Sequence, residues 1–79
     1  MEANRFVRDF LERNGFEKLS ENYFKNSKCE VTIHEGYYEV VYYSEEFLEH
    51  MSFYTESLNF PTLLGNLIWG ELIDKNFKR

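Results

Sequence analysis

From Cys29 to Asp74 the chain has no lysine and no arginine, a gap of 46 residues that still carries nine carboxylates: Glu30, Glu35, Glu39, Glu45, Glu46, Glu49, Glu56, Glu71 and Asp74. All nine basic residues stand at the ends, six among the first 28 residues beside five acids and three among the last five beside none. A chain without a basic stripe lacks the phosphate neutralisation that supplies much of nucleic-acid affinity, so direct binding of DNA or RNA is not expected. The formal charge is −5, and its segregation favours basic partners.

Other scarcities narrow the class further. Cys29 is the only cysteine, which excludes an intrachain disulfide and makes a reducing, cytoplasmic setting the expectation. No apolar run reaches the roughly 18 residues of a membrane span, and Met1 to Arg5 opens an amphipathic segment instead of the basic start and apolar stretch of a signal peptide. The four glycines, Gly15, Gly36, Gly65 and Gly70, form no phosphate-binding loop. Metal ligands are few: besides the glutamates only His34, His50 and Cys29 are available, without ligand spacing, and both histidines read as solvated surface residues. Cys29 is expected in the core, where a thiol is inert, and nothing builds a pocket around paired carboxylates such as Glu45 with Glu46 or Glu35 with Glu39. The expectation is a protein that is not an enzyme and needs no metal or cofactor.

Aromatic residues are abundant. Eight Phe, six Tyr and one Trp among 79 residues bring large buried area to a chain long enough for one domain, residues 1–79, and near the size where a single core becomes marginal. Phe6, Val7, Phe10 and Leu11 fall at helical spacing, with Arg5, Arg8, Asp9, Glu12 and Arg13 read as a solvated, ion-paired face. Asn14-Gly15 closes this helix, allowing Phe16 to fold back on Leu11 in a Schellman motif. From Phe16 to Tyr43 the period becomes two, with two-residue turns expected at Glu21-Asn22, Asn26-Ser27 and Glu35-Gly36. These turns place Leu19 opposite Phe24, Phe24 opposite Cys29, and Cys29, Val31 and Ile33 opposite Tyr42, Val40 and Tyr38, giving one apolar face. A loop after Ser44 and a strand over Met51 to Thr55 follow. Pro61 suits the first turn of a second helix reaching about Lys75, whose last turn Lys75, Lys78 and Arg79 would complement. Phe60, Leu63, Leu64, Leu67, Ile68 and Leu72 form its apolar face, and Gly65 and Gly70 within it suggest close packing. The fold class is α+β: an N-terminal helix, an antiparallel β-meander of four to five strands and a C-terminal helix, both helices packed on one sheet face.

Opposite the apolar face, the sheet should present Lys28, Glu30, Thr32, His34, Tyr37, Glu39, Val41 and Tyr43. Aromatic area among carboxylates on a solvent face is a contact-site signal. With Glu35 at the tip of the sheet and Glu45, Glu46 and Glu49 at its edge, the candidate partner-binding residues are Glu30, Glu35, Tyr37, Glu39, Tyr43, Glu45, Glu46 and Glu49. Trp69 and Ile73 lie off the apolar face of the second helix. The common reading is packing against the first helix; the alternative is a self-association surface with Trp69 as its hot spot.

The stretch Leu64-Gly65-Asn66-Leu67-Ile68, followed by Leu72-Ile73-Asp74-Lys75-Asn76-Phe77-Lys78, resembles the end of short uncharacterised proteins of Bacteroidota genomes and their phages. The resemblance carries over no functional residue. It implies a setting, small acidic phage proteins that inhibit bacterial defence, anti-CRISPR proteins among them. The expected function is therefore a protein-binding inhibitor that covers a basic, nucleic-acid-binding surface of a larger partner such as an RNA-guided nuclease. The alternative is a small scaffold protein that homodimerises through its C-terminal helix, its acidity serving solubility.

Overall fold

The helical spacing at the start of the chain becomes an α-helix over Glu2–Arg13 (α1) in the computed structural model, which describes residues 2–74, 76 and 77. Val7, Phe10 and Leu11 are buried, and Phe6 meets Phe60 edge-on at 5.0 Å. Gly15 takes the left-handed conformation, φ 89°, and the Phe16 N–H donates to the Leu11 carbonyl at 3.0 Å while the Gly15 N–H donates to Glu12 at 3.4 Å. These are the two bonds of the expected Schellman motif. Arg8 departs from the expected solvated face. Its guanidinium reaches the next turn, donating to the Glu21 carbonyl at 2.7 Å and to Asn22 Oδ1 at 2.9 Å, because the planar fork satisfies two acceptors at once.

Five strands follow as an antiparallel sheet in sequence order: Glu17–Ser20 (β1), Tyr23–Lys25 (β2), Cys29–Ile33 (β3), Tyr38–Ser44 (β4) and Glu49–Tyr54 (β5). The turns at Glu21-Asn22 and Glu35-Gly36 fall where the sequence places them, and Cys29, Val31 and Ile33 face Tyr42, Val40 and Tyr38. The middle turn lies one residue later, at Ser27-Lys28. Asn26 Oδ1 accepts from the Lys28 and Cys29 amides, each at 2.8 Å, which holds Asn26 as the last paired residue of its strand. Phe24 therefore faces Val31 and not Cys29. Moving a hairpin centre by one residue shifts the pairing by two, so the apolar face survives. Leu19 does not oppose Phe24: the register slips between Lys18↔Phe24 and Ser20↔Tyr23, and the bulge leaves Leu19 46% exposed.

The stretch after Ser44 forms a loop, residues 45–48, and then a strand that starts earlier than expected, at Glu49, and ends at Tyr54. Buried Thr55 closes it: Oγ1 accepts from the Tyr38 amide at 2.8 Å and donates to the Ser57 carbonyl at 2.7 Å.

A second helix, Phe60–Trp69 (α2), is capped by Asn59, whose side chain accepts from the Thr62 amide, with Pro61 in its first turn. It stops short of the expected end near Lys75. Glu71 adopts φ 56°, its N–H donating to Ile68 at 3.1 Å and that of Leu72 to Leu67 at 2.9 Å, a second Schellman close that turns Leu72 and Ile73 back into the core. Gly70 permits that turn, since a Cβ there would sit 3.3 Å from the Asn66 carbonyl and from Leu72 Cγ. Gly65 has open space around it, so the expected close packing holds for only one of the pair. Lys75, Lys78 and Arg79 lie outside the described residues.

One core gathers Val7, Phe10 and Leu11 of α1, Phe16, the sheet residues Phe24, Cys29, Val31, Ile33, Tyr38 and Val40, Leu63 and Leu67 of α2, and Leu72 with Ile73. Phe10 and Phe60 join the two helices edge to face at 4.9 Å. Among the described residues no helix is long and apolar enough to cross a membrane.

Candidate protein-interaction surface

The alternation that buries Val31, Ile33, Tyr38 and Val40 turns Glu30, Thr32, His34, Glu39, Val41 and Tyr43 to the other face, joined by Tyr23 from β2 and by His50, Ser52 and Tyr54 from β5. On this face the two central carboxylates are engaged. Glu30 accepts a short hydrogen bond from the Tyr23 hydroxyl, which, with burial and the carboxylate's charge, raises the Tyr23 pKa. Glu39 lies 2.7 Å from His34 Nε2, and the His34 ring stacks on Tyr37 at 4.5 Å. His34 is thus a half-buried, bonded residue and not the solvated histidine that the sequence suggests; His50 is exposed, edge-on to Tyr43 at 5.3 Å. Tyr37 meets Tyr54 at 5.9 Å.

The eight residues read from the sequence as one patch do not coalesce. Glu30, Tyr37, Glu39 and Tyr43 share the outer face. Glu35 sits in the β3–β4 turn, and Glu45 and Glu46 lie beyond the other end of β4, a strand about 20 Å long by its rise per residue. Glu49 pairs with Ser44 and belongs to the opposite face of the sheet. The proposed self-association pair is also divided: Ile73 is 4% exposed and belongs to the core, whereas Trp69 is 89% exposed. The early end of α2 causes this, because residue 73 is no longer one helical turn beyond residue 69.

Two residues that periodicity could not find stand out instead. Phe47 and Leu48, in the β4–β5 turn, are 59% and 75% exposed, and Leu48 carries a φ of 56°. A bulky apolar side chain in the left-handed region is strained as well as solvated, and such strain concentrates at functional segments. The signal available in the sequence was an apolar pair enclosed by Glu45, Glu46 and Glu49 in a segment without period. A cleft of about 700 Å³ separates this turn from the end of α2, lined by Tyr42, Tyr43, Glu45, Glu46, Gly70 and Glu71 among others. Each wall continues in sequence into exposed apolar area, Phe47 on one side and Trp69 on the other. Lys28 enters the cleft and donates to the Glu71 carbonyl at 3.3 Å.

Among the described residues, six of the eight exposed large hydrophobics, Tyr43, Phe47, Leu48, Tyr54, Ile68 and Trp69, fall inside the span without lysine or arginine, and Phe6 and Leu19 lie outside it. Around the cleft, Phe47 and Leu48 on one side and Trp69 on the other adjoin Glu45, Glu46 and Glu71 in sequence, with Lys28 between the walls. Burial, with a contribution from the Glu30 charge, pushes the Cys29 thiol up to about 12, and among the described residues no group of three His, Cys, Asp or Glu could hold a metal ion. Comparison with protein-family models, with curated proteins and with solved structures finds no match.

Proposed function

We propose that the protein is a non-enzymatic binding module that attaches to a basic surface of a larger protein through the β4–β5 turn and the end of α2. The observation that carries this reading is the coincidence just described, exposed Phe47, Leu48 and Trp69 set among Glu45, Glu46, Glu49 and Glu71. Apolar anchors supply desolvated contact area while a charged rim steers encounter and selects partners of opposite sign. A nucleic-acid-binding channel is a large basic surface, and an inhibitor covering the channel of an RNA-guided nuclease is the form of this function that the resemblance to short phage proteins favours. Glu30 and Glu39 are less suited to the role, because Tyr23 and His34 already occupy them.

Displacement of a labelled guide–target duplex from purified RNA-guided nucleases, at low and high salt, tests this form. Displacement should weaken with salt and be lost in a variant with Glu45, Glu46 and Glu49 changed to Lys, since exposed charges are screened. Displacement that ignores both salt and charge reversal contradicts it, as does failure to displace any duplex.

A further inference from the structure

The two edges of the sheet are built differently. β1 is short, bulged at Leu19 and carries Lys18, all devices that discourage pairing with another strand. β5 is six residues long and contains no lysine, arginine, proline or bulge, and among the described residues no strand pairs with it beyond β4. Its register also fixes where its backbone groups point. The Thr55 N–H donates to the Tyr38 carbonyl at 3.0 Å, so Phe53, Met51 and Glu49 use their backbone groups toward β4. By the antiparallel alternation, the N–H and C=O of His50, Ser52 and Tyr54 point away from the sheet.

We infer that a second copy of this chain pairs with that edge, β5 against β5 antiparallel about Ser52, to give a continuous ten-stranded sheet. The strand is its own complement in this register. Ser52 meets Ser52, His50 meets Tyr54 and Glu49 meets Thr55, so the single carboxylate of β5 opposes no like charge, and six backbone hydrogen bonds form from groups that otherwise face solvent. The outer face supplies a second argument. Within one copy, Tyr54 packs against Tyr37, which in turn stacks on His34, and His50 packs against Tyr43. Placing the Tyr54 ring of one copy opposite His50 of the other joins these two clusters into one aromatic row across the junction, and aromatic cross-strand pairs stabilise sheets. This interface shares Glu49 with the turn-and-helix surface proposed for the basic partner, but none of its strand pairs involves Phe47, Leu48 or Trp69.

Sedimentation equilibrium over a concentration series tests the inference. The wild type should pass from 9.6 kDa to twice that mass as concentration rises. Ser52→Pro removes only an outward N–H, which an edge strand tolerates, and should remain monomeric with unchanged far-UV circular dichroism. Ser52→Lys, at an exposed position, sets two ammonium groups face to face and should also be monomeric if the proline variant fails to fold. Trp69→Ala should dimerise as the wild type does, and the His50, Ser52 and Tyr54 amides should gain exchange protection with concentration. A chain that stays at 9.6 kDa at every concentration overturns the proposal, as does a dimer that persists in both Ser52 variants or leaves these amides unprotected. Capture of another protein's strand on β5 while the chain itself stays monomeric overturns it as well.

Discussion

Two buried side chains have consequences that follow from single atoms. The Tyr38 hydroxyl is buried without a hydrogen-bond partner, and burial raises its pKa. Leaving a polar group unpaired in the interior costs about 1–3 kcal/mol. Tyr38→Phe removes the hydroxyl and keeps the ring, so urea denaturation should show it equal to or up to about 1 kcal/mol more stable than the wild type. Cys29 governs the alkaline limb. Its thiol titrates near 8.5 in an unfolded chain but only at about 12 in the fold. Between those values the unfolded chain releases a proton that the folded chain keeps, so stability is complete below about pH 8.5 and falls as pH rises, by at most about 1.4 kcal/mol per unit. Tyrosines ionise in the unfolded state only near pH 10, so the interval from about 8.5 to 10 belongs to the cysteine. Cys29→Ala should be less stable at neutral pH, because it leaves a small cavity, yet lose the slope in that interval.

The elements separate what periodicity reports from what it cannot. The first helix, its glycine close, the Glu35-Gly36 hairpin and the apolar sheet face follow directly from spacing and turn residues, because a slip of one residue would expose every inward side chain. The end of α2 was not legible: Leu72 continues the helical pattern in sequence, but in the structure it reaches the core through a left-handed Glu71, a conformation that a glutamate does not advertise. The candidate surface was legible in charge and not in placement. The acidic span is visible as a charge pattern, whereas Phe47 and Leu48 sit in a turn, where no period identifies a buried or exposed side. The two left-handed residues other than glycine, Leu48 and Glu71, predict mutational outcomes that differ in binding and not in stability. Glycine at either position relieves strain and should raise stability by roughly 0.5–1 kcal/mol. Leu48→Gly should at the same time weaken partner binding at least about tenfold, the loss expected for an interface anchor, while Glu71→Gly should have a smaller effect because its neighbour Trp69 is retained. Thermal melts with binding titrations on the two variants check the contrast.

At the scale of the whole molecule, packing and exposed apolar area fall to different segments. α1, the inner sheet face and the buried side of α2 make the core, while Phe47 and Leu48 in the β4–β5 turn and Trp69 at the end of α2 stand exposed within the span without lysine or arginine. The most direct measurement is site-specific photo-crosslinking in cells of the source organism, with p-benzoylphenylalanine placed at Phe47 in one strain and at Leu19 in another. Both positions are exposed, but only the first lies on the proposed surface. The account predicts that position 47 captures a basic protein, that Glu45→Lys with Glu46→Lys abolishes the capture, and that position 19 captures nothing. Capture from position 19 alone, capture at 47 that charge reversal leaves intact, or no capture from either position would contradict it.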